Sequence, residues 1–146
     1  ELVQKYRLLH EHIANQRRDF LHKESRRIAN AWDAVCIRED SLRAISGKLG
    51  GSAVHDTGFG MFRELLRYKL ERQGKQLLEV DRLVPTTKVC SACGAVNETL
   101  SIRARRWVCP VCGAEHRRGM NAAINIKASG LVKGQSQQAA AALPLL

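Results

Sequence analysis

At 146 residues, with 24 Lys and Arg against 14 Asp and Glu, the chain carries a formal charge of +10. That length makes one ordinary domain or two small ones with a real core, and the charge suits a polyanion, nucleic acid first and an anionic membrane second. No apolar run of roughly 18 residues exists to span a membrane, no signal peptide opens the chain, and scarce aromatics argue against base stacking as the main binding mode.

The expected setting is cytoplasmic, where thiols stay reduced and paired cysteines read as metal ligands rather than disulfides. The chain opens on Glu1 rather than Met and is read as a piece of something longer.

Residues 2–31 predict one long helix, with Leu2, Tyr6, Leu9, Ile13, Phe20, Leu21, Ile28 and Ala31 near helical spacing. Its other faces carry Arg17, Arg18, Arg26 and Arg27, which read either as a solvated face or as a phosphate-facing one. Only Asp19 and Glu24 balance them nearby, which tilts the reading toward phosphate.

"DAVCIR", 33–38, predicts a buried strand holding Cys36 as a small core residue. "SGKLGGSAVHDTG", 46–58, holds four glycines and predicts a flexible loop, with Thr57 capping the helix that follows. In that helix Phe59, Phe62, Leu65, Leu66, Lys69 and Leu70 recur at helical spacing, and Gly74 ends it. "KQLLEV", 75–80, predicts a second strand, parallel to the first, in an α/β layer.

"CSAC" at 90–93 and "CPVC" at 109–112 make the most specific signal in the chain. Two residues between cysteines let a tight turn present both sulfurs to one zinc ion, and the 15 residues between the pairs leave room for a short hairpin. Cys90, Cys93, Cys109 and Cys112 are the expected ligands of a zinc ribbon, a closed structural site that does no chemistry. As thiolates with zinc they lower the net charge from +10 to about +8, four negative charges against two positive. His116 is not counted as a ligand. "SIRARRWV", 101–108, predicts a returning strand with Arg103, Arg105 and Arg106 exposed on it. From 129 to 146 the mix of Gly, Gln, Ser and Ala predicts a disordered tail.

"HEHIANQRRDFLHKES", "PTTKVCSACG", "WVCPVCG" and "NAAINI" together resemble the C-terminal half of the transposon-encoded TnpB/OrfB proteins, relatives of the type V CRISPR nucleases. The resemblance covers residues 5–127. It implies an RNA-guided DNA endonuclease with a partial RNase-H/RuvC-like α/β fold and an inserted zinc ribbon. The implied domains are a RuvC-like region at 1–85, the ribbon at 86–116 and the final RuvC-like helix at 117–128. Three carboxylates would hold magnesium there, and guide RNA and DNA would be the partners.

Carried onto this chain residue by residue, the resemblance places its first Asp on a strand upstream of the long helix, which the chain lacks. An ungapped match puts Arg38 at the second acid, with Glu39 one residue late, and Gly119 at the third; Arg117 also replaces a usual Asp. Exchanging two carboxylates for one arginine and one glycine moves the local charge by about three units toward positive, which repels a divalent ion. Glu39 is the weak catalytic candidate, with Asp40 and Glu115 weaker still.

The leading expectation is therefore a nucleic-acid-binding, catalytically dead relative. Its phosphate contacts would come from Arg17, Arg18, Arg26, Arg27, Arg103, Arg105 and Arg106. The alternatives are an active magnesium-dependent endonuclease using Glu39, a decayed transposon remnant, and a protein-binding ribbon adaptor. Against the last, the ribbon carries arginines rather than an apolar patch.

Overall fold

The computed structural model describes residues 1–39 and 58–141. The glycine-rich stretch 46–57, Asp40, the Thr57 cap and the end of the tail lie outside the described residues. The element order is α1 (Leu2–Ala31), β1 (Ala34–Arg38), α2 (Phe59–Glu71), β2 (Gln76–Val80), β3 (Arg106–Val108), β4 (Glu115–Arg117) and α3 (Arg118–Ala141). No described helix is long and apolar enough to cross a membrane.

β1 and β2 form a two-stranded sheet. The N–H of Gln76 donates to Asp33 O at one end (3.0 Å) and that of Glu39 to Val80 O at the other (2.8 Å), so the strands run parallel as expected. The chain divides into two compact units: Glu1–Val35 with Asp40–Leu77, and Cys36–Glu39 with Leu78–Leu146.

In the first unit α1 buries a seam of Leu21, Ser25 and Ala29 against Leu65, Leu66, Lys69 and Leu70 of α2. Ala29, Leu66 and Leu70 make the core, with Ile28, Val35, Phe62 and Leu77 packed on it. Each fully buried leucine there contributes about 2 kcal/mol relative to exposure. The apolar spacing had placed Leu2, Tyr6, Leu9, Ile13 and Phe20 on the packed face, but all five are exposed.

The buried seam also contains a polar residue of α1, Ser25, that its apolar spacing did not include. The Ser25 hydroxyl donates to Leu21 O (2.6 Å), and Lys69 Nζ donates to Ser25 Oγ (2.6 Å) and His22 O (2.7 Å). Gly58, at φ 69°, is the N-cap of α2. At the other end Gly74, at φ 65°, lets Lys75 N return to Leu70 O (2.9 Å), as the sequence indicated.

In the second unit α3 continues to Ala141, past residue 128 where the sequence reading ended the helix. Gly130 and Gly134 are buried one turn apart on α3. A Cβ on Gly130 would lie 2.6 Å from Cys36 Sγ, and one on Gly134 would lie 3.0 Å from Leu78 Cδ1. Glycine here permits close approach of helix to strand, and Lys133 Nζ adds a bond to Glu79 O (2.8 Å). Composition alone reads the same glycines as helix breakers. Cys36 is half-buried against this helix, in keeping with its expected packing role.

Candidate metal centre and nucleic-acid interface

Each cysteine pair sits in its own small turn, rather than at the two ends of one shared hairpin. In the first, Gly94 N donates to Cys90 O (2.8 Å) and Cys90 N to Ala95 O (2.8 Å), flanked by a Val89–Val96 bridge. In the second, Gly113 N donates to Cys109 O and Cys109 N to Ala114 O (both 2.9 Å), flanked by β3 and β4. Gly94 and Gly113 adopt φ of 78° and 72°, the left-handed turn that glycine takes without strain.

The two turns bring the sulfurs of Cys90, Cys93, Cys109 and Cys112 within 4.8 Å of one another. Cys90–Cys112 and Cys93–Cys109 are both separated by 3.7 Å. A tetrahedron of sulfurs about 2.3 Å from zinc has edges of about 3.8 Å, so this cluster is compatible with a structural zinc ion held by these four residues.

His116 packs its ring on Trp107, with centroids 4.7 Å apart, and places Nε2 3.1 Å from Cys90 Sγ. With Cys90 as a thiolate, that nitrogen carries the proton and donates to sulfur. This gives His116 a supporting position outside the ligand set.

As free thiols Cys93 and Cys109 are shifted in opposite directions. Backbone N–H groups of Cys112 and Val111 draw Cys109 down to about 6. The Ala95 N–H lowers Cys93, but the thiols of Cys112, Cys90 and Cys109, with desolvation, outweigh it and push Cys93 up to about 12. Zinc uptake by the metal-free chain is expected to release protons as thiols become thiolate ligands, followed with an indicator dye in weak buffer; zinc bound without proton release would contradict thiolate ligation.

The start of α3 fixes the first turn. Buried Asn121 accepts from Ser91 N (2.9 Å) and donates to Val89 O (2.7 Å), while Asn125 donates to Thr86 O and Val89 O (both 2.8 Å). Sequence reasoning used this Asn pair only as a motif. Its i, i+4 spacing just after a metal motif was the available signal. Asn121→Leu is expected to cost roughly 1–3 kcal/mol by leaving Ser91 N–H unpaired. Asn125→Leu should cost less, since Asn121 still donates to Val89 O. Thermal melts of the two variants test the order.

Only Arg106 of the three ribbon arginines lies on a strand. The stretch from Ser101 to Arg105 is turn, held by Ala104 N to Ser101 O (3.1 Å) and by Arg118 Nη1 to Ser101 O (3.1 Å). Arg103, Arg105 and Arg106 are exposed as expected. Arg106 stands directly opposite Arg117 in the β3–β4 register, a like-charge rung that costs stability until an anion screens it. Arg103, Arg105, Arg118 and Gly119, with Ile102 and Ala104, line an open concavity of about 600 Å³.

On α1, Arg27 is paired with Glu24 at 2.9 Å, and Arg17 lies half-buried beside Gly58. Arg18 and Arg26 are exposed, with no carboxylate partner among the described residues. Glu39 is exposed just past β1, and Arg38 is half-buried within it. Among the described residues, the group of His, Cys, Asp and Glu side chains gathered within reach of one ion is the four cysteines, without Glu39 or Glu115.

Residues 59–126 match the Cas12f1-like, TNB domain family. A Streptomyces pristinaespiralis protein described as a candidate RNA-guided DNA endonuclease is 39% identical over 125 residues, covering 84% of this chain and 31% of that protein. A Mycobacterium tuberculosis protein of the same description is 30% identical over 125 residues, 81% of this chain and 27% of that one. Escherichia coli InsQ, described likewise, is 27% identical over 142 residues, 86% of this chain and 35% of its own length.

The chain thus spans about a third or less of the curated relatives it matches. Among solved structures, a chain of a CRISPR-Cas12f ternary complex superposes with TM-score 0.61 at 22% identity, covering 82% of this chain and 25% of that one, a likeness of fold. These matches bear out the resemblance carried by the four motifs.

Proposed function

We propose that this chain, similar to the TnpB/OrfB proteins and to candidate RNA-guided DNA endonucleases, binds nucleic acid without cutting it. The observation that carries this reading is the setting of Gly119. At the position where the family resemblance calls for a metal-binding Asp, the start of α3 faces a concavity lined by Arg103, Arg105 and Arg118. A magnesium ion there would meet repulsion in place of a carboxylate, so the described residues do not fit that metal and no hydrolytic step is drawn through it.

Glu39 does not fill the gap in this reading. Its N–H bond to Val80 O keeps the backbone in the ladder, and alternation along a strand then turns its side chain away from the face of Arg38. The proposed domains are a partial RuvC-like region at 1–85, a zinc ribbon at 86–116 and a last helix, expected at 117–128 from the sequence, that spans Arg118–Ala141 in the structure. DNA and a guide RNA are the proposed partners, with zinc as the structural metal. Exposed Arg18, Arg26, Arg103, Arg105 and Arg106 supply the phosphate contacts.

The test is a gel of zinc-loaded protein with labelled duplex DNA, single-stranded DNA and RNA in magnesium over a salt series. Shifted, intact probe whose affinity falls with salt supports the reading. Cleavage that disappears in Glu39→Gln overturns it in favour of an endonuclease whose acids have moved.

A further inference from the structure

We propose that the concavity lined by Arg26, Asn30, Tyr68, Lys69, Arg72 and Gln73 holds one backbone phosphate of a nucleic-acid strand. The assignment rests on the nucleic-acid-binding reading above and adds to it a site within the first unit. The concavity is open, about 350 Å³, and its lining contains three cations and no acid.

Charge and hydrogen-bond capacity both favour an anion there. Lys69 is only 6% exposed, yet its ammonium is met by a backbone carbonyl and a hydroxyl rather than a carboxylate. Those two bonds use two of the three N–H donors a lysine carries, which leaves the third for an incoming oxygen. Arg26 and Arg72 are exposed and have no carboxylate partner among the described residues. The acids nearest Arg26 on its own helix are engaged elsewhere, Glu24 with Arg27 and Asp19 with Lys23.

Burial, and then the charge of Arg26, push the Lys69 amine below its ordinary pKa. A bound anion would reverse the second effect. The walls are positioned without it: Gln73 Nε2 donates to Asn30 Oδ1 (3.1 Å), tying α2 to α1, and Lys69 Nζ sits 5.7 Å from the Tyr68 ring centroid. Two guanidinium forks flanking an ammonium match the oxygens of a single phosphate.

The salt dependence of binding counts phosphates, so it tests the site directly. Fluorescence anisotropy of labelled duplex DNA with the zinc-loaded full chain, over about 50–200 mM salt, gives the slope of log affinity against log salt. The double substitution Arg26→Gln with Arg72→Gln removes exposed side chains and leaves the core intact. It is expected to weaken binding and to reduce the slope by about one unit, the loss of one phosphate contact.

An unchanged slope, with wild-type binding intact, overturns this site and leaves the proposed function standing. Absence of salt-dependent binding by the wild type overturns both. If inorganic phosphate raises the melting temperature of the wild type but not of the double variant, while the DNA slope is equal in both, the site takes a small anion. The strand assignment then fails.

Discussion

Stripping the metal from the four-cysteine cluster is expected to unfold the ribbon, with a large red shift in the emission of Trp107. Trp107 is 7% exposed and packs with Cys90 and Cys109, while Trp32 is 64% exposed. The sequence contains two tryptophans, so the change on chelation reports the ribbon, because Trp32 already faces water. Beyond the cysteines the ribbon is held by two three-residue strands, a cluster completed by Ala95 and Leu100, and the amide bonds of Asn121 and Asn125.

Structural zinc contributes about 10–16 kcal/mol in small domains, whereas each large apolar side chain buried there contributes only about 1.5–3 kcal/mol. Cys109→Ser should reproduce the shift without chelator. Emission that stays unshifted after the zinc is shown to have left would mean that the ribbon stands without metal.

Gly130→Leu is expected to destabilise the protein by about 3 kcal/mol, in the range of severe overpacking. Its first side-chain carbon would sit 2.6 Å from Cys36 Sγ and 2.9 Å from Cys36 Cβ, on a strand that cannot move away cheaply. The matched control is Gly119→Leu on the same helix, where an added carbon meets nothing within 4 Å. Leucine is the better helix former at both positions, so propensity alone predicts that both variants gain up to about 1 kcal/mol. Close packing predicts opposite signs. A melting temperature lowered by roughly 5–10 °C for Gly130→Leu, against no loss for Gly119→Leu, would establish the docking of α3. Equal behaviour would return residues 129–141 to a tail.

The four-cysteine cluster was legible because metal-ligand chemistry depends on local spacing, and Cys90, Cys93, Cys109 and Cys112 carry that spacing on their own. The two strands and the α2 stop at Gly74 were legible for the same reason, each written within a few neighbouring residues, while the parallel pairing followed from the order of the elements. What was not legible depends on partners distant in sequence. Ser25 looks out of place on a packed face until Lys69, 44 residues later, supplies its hydrogen bond. Gly130 and Gly134 look like breakers until Cys36 and Leu78 come against them. Asn121 looks like a solvated helix residue until its amide is seen closing on Val89 and Ser91. The basic surface was half legible. Exposure of Arg103, Arg105 and Arg106 followed from their surroundings, but Arg27 is taken up by Glu24, three residues before it.

The proposed function turns on the start of α3, where Arg103, Arg105 and Arg118 line the concavity at Gly119. The most direct measurement is the binding of manganese, as a stand-in for magnesium, to the zinc-loaded chain, followed by the electron paramagnetic resonance signal of the free ion. The chain is expected to leave the signal at the level of an equal concentration of free manganese, and Glu39→Gln is expected to change nothing. One manganese ion bound per chain and lost in Glu39→Gln would contradict it, and would restore the endonuclease reading.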